Sequence, residues 1–172
     1  MVGLVASVQT VVLGAVLLVG GAYVASRERQ DEPAFIAPSL GYFDIDRQEH
    51  SAAEGMVVYR GARPFWGFRL FGAVLATSHG SFFAGAGIAY DLFLGKVTFT
   101  PSFAPGFYAP GDGLDLGYPL EFRSQLEASY RLPGRWRLGV GFSHMSNASL
   151  GKTNPGVETL LVVVSVPVGG SP

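Results

Sequence analysis

After Pro33 the chain alternates apolar and polar residues at period two between clusters of Gly and Pro. No segment keeps the three-to-four spacing of an amphipathic helix. The pattern predicts eight strands: Ala37 to Ile45, Gly55 to Ala62, Trp66 to Ala76, Ser81 to Phe93, Lys96 to Phe107, Pro119 to Leu132, Arg135 to Asn147 and Val157 to Val168. Alternation is clearest in the sixth, where Leu120, Phe122, Leu126, Ala128, Tyr130 and Leu132 share one face and Glu121, Arg123, Gln125, Glu127 and Arg131 the other. In the fourth, Phe83, Gly85, Gly87, Ala89 and Asp91 form a row of mostly small residues that suits a narrow lumen. The fifth carries Pro101 and Pro105, which lack ladder donors and predict a bulge or fraying there.

Period two cannot tell an inward row from an outward one, so a soluble sandwich or a ligand-carrying barrel has to be weighed as well. The connections favour a membrane barrel. Asp46 to Glu54, Thr77 to Gly80, Tyr108 to Tyr118 and Ala148 to Gly156 alternate with short turns at Arg63 to Phe65, Leu94 to Gly95 and Pro133 to Gly134, as external loops alternate with periplasmic turns. The N-terminus agrees. No charge occurs from Val2 to Val24, and the aliphatic run from Val11 to Val19 precedes Gly20, Gly21 and Ala22, the pattern of a signal peptide and its cleavage site. An uncleaved anchor is the other reading, since Arg27 and Arg29 follow the run. The expected division is a leader over residues 1–25 and an all-β, eight-stranded antiparallel transmembrane barrel over residues 26–172.

Composition sharpens this picture. Hydrophobic residues make up 48% of the 172 and charged residues 15%, with 24 Gly and 13 Phe, a mixture that suits lipid-facing strands. A net charge of -1 offers no basic field for a phosphate backbone, so nucleic acid is excluded as a partner. With no cysteine, disulfides, thiolate metal sites and a cysteine nucleophile are excluded too.

Of the three histidines, His50 and His79 fall in loops without an acid or nucleophile at a useful spacing. His144 differs. Ser146 lies two residues on, so both side chains project from the same face of the seventh strand, where the imidazole can take the hydroxyl proton. Glu158 opens the next strand, and a hairpin brings its carboxylate beside His144 to fix the tautomer and stabilise the imidazolium. All three sit on apolar rows, with Trp136, Leu138, Val140 and Phe142 before His144, and Leu160, Val162 and Val164 after Glu158. The opposite row, Arg135, Arg137, Gly139, Gly141 and Ser143, is assigned to the lumen. Polar groups on a lipid face carry a cost that is smallest near the headgroups, the boundary where a lipid ester would lie. For a bare His-x-Ser the bland reading is a strand leaving the apolar zone; the added Glu158 argues for chemistry.

The stretch FSHMSNASLGKTNPGVE joins a His-x-Ser-Asn-Ala motif to an Asn-Pro-Gly-x-Glu segment, with fourteen residues from His144 to Glu158. From Gly117 to Val168 the chain closely resembles the PagL-type lipid A 3-O-deacylases, also called acyloxyacyl hydrolases. The resemblance implies a serine esterase that removes an ester-linked 3-hydroxyacyl chain from lipid A in the outer leaflet of the bacterial outer membrane. Ser146 would be its nucleophile, His144 its base and Glu158 the orienting acid. Asn154 is implied as an oxyanion donor, with main-chain amides near Ser149 assisting and Asn147 matching the motif. Before Gly117 the correspondence is one of strand pattern. No metal or other cofactor is expected. The expected partners are lipopolysaccharide and outer-membrane lipid, and a homodimer is an allowed assembly. The alternative is a non-enzymatic barrel of structural or adhesin type.

Bland readings cover the remaining signals. Trp66, Tyr90, Tyr108, Tyr130 and Trp136 are read as interfacial girdle residues. The run Gly111, Asp112, Gly113 and Asp115 lacks the ligand pattern of a calcium loop and is read as an external turn. Glu121, Arg123, Glu127 and Arg131 are expected to pair inside a lumen too narrow for a channel.

Overall fold

Strand pairing in this chain is directed by its apolar rows, because a slip of one residue would turn every outward Leu, Val and Phe inward and every lumen charge outward. The computed structural model describes residues 32–62 and 67–169. Its strands are β1 (Ala34–Phe43), β2 (Ala52–Arg60), β3 (Arg69–Thr77), β4 (Phe82–Ala89), β5 (Leu92–Leu94), β6 (Val97–Ala109), β7 (Leu120–Arg131), β8 (Arg137–Ser146) and β9 (Val157–Val168). All pairings are antiparallel, and all join sequence neighbours apart from β4 with β6 and β1 with β9, the last of which closes the sheet on itself. Both β4 and β5 pair with β6 in one continuous register, Phe82 opposite Ala109 and Leu94 opposite Val97, and together they make one stave. The result is a closed eight-stranded barrel. The proposed leader lies outside the described residues, as does Trp66.

The prolines break ladders, yet not where the sequence places the damage. β6 runs unbroken through Pro101 and Pro105, and the interruptions fall on its partner. Tyr90 N donates to Pro101 O at 3.0 Å, so residue 101 faces β4 and β5, and Pro105, four residues on, faces the same way. Each removes a donor from that junction. Strand assignment lapses at Tyr90 and Asp91 opposite Pro101, and pairing skips Ala86 and Gly87 opposite Pro105 and Ala104. A similar gap at Ala37 and Pro38 interrupts the β1–β9 ladder.

Strict alternation of long and short connections does not hold. Residues 61–68 join β2 to β3 over the same length as 44–51 join β1 to β2, and 78–81 is short although it lies at the opposite end from 61–68. The contrast survives between 110–119 and 147–156 at one end and 95–96 and 132–136 at the other.

The inward row holds the charges. Arg123 meets Glu54 at 2.7 Å, Arg60 meets Glu127 at 3.0 Å, and Asp91 sits between Arg69 at 3.1 Å and Arg137 at 3.0 Å. The lumen acids and bases of β7 therefore pair across the barrel rather than with each other. Arg131 meets Glu32 at 3.7 Å, and both carboxylate oxygens of the buried Glu121 lack a hydrogen-bond partner. Large and small residues interlock between these pairs: the Phe83 ring lies where a Cβ on Gly85 or Gly106 would come within 2.6 Å of it. A residual cavity of about 20 Å³, lined by Arg60, Phe83, Arg123 and Gln125 among others, has room for about one water. The outward rows are apolar and exposed, with Leu40, Tyr59, Leu70, Phe107, Leu138 and Val140 among them.

Two girdle assignments need correction. Tyr108 is buried on the inward row of β6 and donates through its hydroxyl to Leu114 O at 2.7 Å. Tyr90 is buried where the stave breaks, its ring packed edge-on against Phe68 at 5.4 Å. Tyr130 and Trp136 are exposed on the outer surface.

Candidate active site

β8 ends and β9 begins at the long-loop end, and their register sets His144 directly opposite Glu158. Side chains so placed share one face with Cβ atoms about 5 Å apart, close enough for a direct bond. Nδ1 of His144 lies 2.8 Å from Glu158 Oε1. With the carboxylate ionised, Nδ1–H donates and Nε2 carries the lone pair, the tautomer a general base needs. Nε2 is buried without a hydrogen-bond partner. A buried polar atom left open in this way costs about 1–3 kcal/mol and calls for a functional or solvent partner.

Ser146 is two residues farther along the same outward row and pairs with Phe122 of β7. The expected hydrogen bond from its hydroxyl to Nε2 is not formed. Such contacts are often loose before substrate binds and tighten in the complex. The row itself changes character along β8: Leu138, Val140 and Phe142 are 50%, 55% and 41% exposed, whereas His144 and Ser146 are each 3% exposed. The two polar residues are thus shielded although they point away from the lumen.

Gly156 supplies part of this cover. Its φ is +66°, and a Cβ there would sit 2.9 Å from His144 Cε1, so only glycine lets the backbone lie against the imidazole edge. The first connection braces the same spot from outside: Arg47 Nη2 donates to Gly156 O, and Ile45 N donates to Glu158 O at 3.1 Å. Gly156 is legible only as the glycine of the Asn-Pro-Gly motif. Nothing in the spacing of the sequence points to Arg47.

The loop 147–156 begins with a tight turn. Ala148 and Ser149 have φ of +52° and +65°, and Leu150 N donates to Asn147 O at 3.0 Å, as in a type I′ turn. Two adjacent non-glycine residues in the left-handed region store strain, a feature that gathers at functional sites. Ser149 is exposed, and the turn itself uses only the Leu150 amide. Asn154, also exposed, accepts Asn147 N–H at its Oδ1 at 3.1 Å, a bond that does not use its Nδ2 donor. Asn147 points the other way. Fully buried on the lumen side, it donates from Nδ2 to Leu116 O at 2.7 Å and Thr153 O at 2.8 Å, tying two loops together. The structure thus gathers His144, Glu158 and Ser146 on one outward face and places Asn154 in the adjoining loop, with the Asn147 side chain outside that group.

Among curated proteins none matches this chain in sequence. Solved structures share its fold. The crystal structure of the outer membrane enzyme PagL superposes with a TM-score of 0.62 at 15% identity, covering 78% of this chain and 99% of that one. A de novo designed transmembrane β-barrel gives 0.51 at 12% identity, over 81% and 99% of the two chains. Neisserial surface protein A gives 0.54 at 11% identity, over 78% and 95%. At such identities the likeness is of fold, and a fold of this kind hosts many roles. A family model described as lipid A 3-O-deacylase (PagL) matches residues 46–167, which include the whole of the site. With more than half of its length so matched, the chain belongs to the PagL family of lipid A 3-O-deacylases.

Proposed function

We propose that the protein resides in the bacterial outer membrane and hydrolyses the ester at the 3-O position of lipid A, releasing a 3-hydroxy fatty acid by a Ser/His/Glu mechanism. The observation that carries this reading is the His144–Glu158 pair at 2.8 Å on the outward face, with Nε2 left open and Ser146 two residues away. Ser146 Oγ attacks the ester carbonyl and gives its proton to Nε2, while Glu158 offsets the charge gained by the ring. Negative charge collects on the carbonyl oxygen, where Asn154 Nδ2 and a main-chain amide of Ala148 or Ser149 serve as donors. The tetrahedral centre then collapses, the C–O bond to the sugar breaks, and Nε2 returns the proton to the departing sugar oxygen. Water repeats the cycle on the acyl-Ser146 ester and frees the fatty acid.

The outward placement suits this substrate. An acyl ester of a lipid never enters a plugged lumen, but it reaches a side chain on the outer wall at the level of the headgroups. The test is incubation of the purified barrel with lipid A in detergent micelles, followed by mass spectrometry. We expect loss of one hydroxyacyl chain, assigned to the 3-position by fragmentation, and no loss with Ser146→Ala. Unchanged lipid A, or loss from another position, overturns the reading.

A further inference from the structure

We infer that Arg47, in the loop after β1, is a positioning residue that holds Gly156 against the catalytic imidazole. This rests on the reading of His144 as the base. Arg47 has an ionic partner within its own loop. Asp44, buried at the end of β1, accepts His50 N–H at Oδ2 at 2.8 Å and turns Oδ1 toward Arg47 Nε at 3.9 Å. The backbone curls between them, with Gln48 N donating to Asp44 O at 3.2 Å and positive φ at both Asp44 and Gln48. The guanidinium donates from Nη2 to Gly156 O. On its other side, Gly156 lies against the Cε1–Nε2 edge of His144.

The imidazole is therefore fixed on two sides. Glu158 takes Nδ1, and the Gly156 backbone limits rotation and tilt at the edge that carries the reactive nitrogen. A planar guanidinium suits this role because one edge can meet the carboxylate while another nitrogen reaches the carbonyl. Release of Gly156 would let the loop lift, admit water to Nε2 and let the ring stray from the Ser146 side. A displacement of about 1 Å in a catalytic group can cost about 100-fold in rate.

The experiment compares wild type, Arg47→Ala and Arg47→Lys, each checked for a folded barrel by heat-modifiable migration. In lipid A hydrolysis we expect Arg47→Ala to lower kcat about 10- to 100-fold with KM nearly unchanged, the factor for a lost charged hydrogen bond. Arg47→Lys, which keeps a cationic donor but not the fork that reaches Asp44 and Gly156 together, should recover only part of the loss. A second readout needs no turnover: diethyl pyrocarbonate modification of His144, followed by peptide mass spectrometry, should quicken about tenfold in Arg47→Ala. A rise in KM at constant kcat that fades at high salt would mean that Arg47 binds lipid phosphate instead, and overturns the inference. Unaltered kcat with unaltered His144 modification overturns it as well. If wild type releases no fatty acid, the failure belongs to the proposed function, and the modification rates still decide whether Arg47 holds Gly156 on the ring.

Discussion

The barrel buries ionisable pairs in two places, and they are built differently. Inside, Arg60–Glu127, Arg123–Glu54 and the Arg69–Asp91–Arg137 cluster set guanidinium groups against carboxylates at 3.1 Å or less. A guanidinium stays charged at any physiological pH and has no proton to trade. On the outer wall, Glu158 meets an imidazole, the one side chain that ordinarily titrates near neutrality, and one ring nitrogen is left open. The same acid chemistry thus fills space in the lumen and, in the proposed mechanism, prepares proton transfer on the wall. Burial of a charge pair is no sign of function by itself; an open ring nitrogen with a serine two residues along the same row is what supports the proposed chemistry.

The strongest test of the contrast is loss of the reacting groups. Ser146→Ala and His144→Ala should each lower turnover by about 10⁴- to 10⁶-fold, the range seen when one member of such a unit is removed. The unfolding midpoint in detergent should hardly move for Ser146→Ala and fall modestly for His144→Ala, which gives up its one bond to Glu158. Retained turnover in either folded variant would reassign that residue. Glu158→Gln should cost about 10³- to 10⁴-fold, less than loss of the nucleophile, because the amide still orients the ring but cannot balance imidazolium charge. Single-turnover kinetics would show whether the deficit lies in acyl transfer.

Asn154→Ala separates oxyanion support from loop support. Removal of one such donor lowers kcat by about 10²- to 10³-fold with substrate affinity unchanged, and we expect that outcome. A lowered unfolding midpoint with normal turnover would assign Asn154 to the loop alone, through its bond to Asn147 N. In the lumen the axes should exchange. Arg123→Leu strands the buried Glu54 carboxylate and should destabilise the barrel by about 3–5 kcal/mol, with turnover per folded molecule unchanged. Denaturant titration in detergent measures this, and Glu54→Leu added to Arg123→Leu should restore much of the loss. The smallest effect belongs to chelation. The proposed chemistry uses no metal, and among the described residues no group of three or more His, Asp or Glu is placed to hold one. A divalent-ion chelator in micelles should leave kcat unchanged, and inhibition reversed by added metal would contradict the mechanism.

Much of this was legible in the sequence because period two and one short motif carried it. β9 matches its expected span from Val157 to Val168, and the charged row of β7 turns inward as the membrane-barrel reading of its parity expects. The pairing of His144 with Glu158 follows from hairpin geometry alone. Tyr108 was legible too, since it shares parity with Thr98 and Thr100 on the inward row, but its position near a strand end suggested an interface. Tyr90 was not, because its burial follows from a break forced by Pro101 on the neighbouring strand, and parity within one strand carries no word of its partner. Arg47 lay further out of reach. It meets Gly156 only because β1 and β9 close the barrel, an outcome of register across more than a hundred residues.

The prolines divide the ring in a way that matters for its motion. One interrupted ladder lies between β4 and β6 and the other between β1 and β9, on opposite sides of the eight staves. The wall is therefore two half-shells of four staves, each with unbroken ladders within itself and an interrupted ladder on either side to the other. One half-shell carries His144, Ser146, Asn154 and Glu158; Arg47 and Ile45 belong to the other. Their bonds to Gly156 and Glu158 act as staples across a seam, so any breathing of the wall along that line reaches the imidazole first.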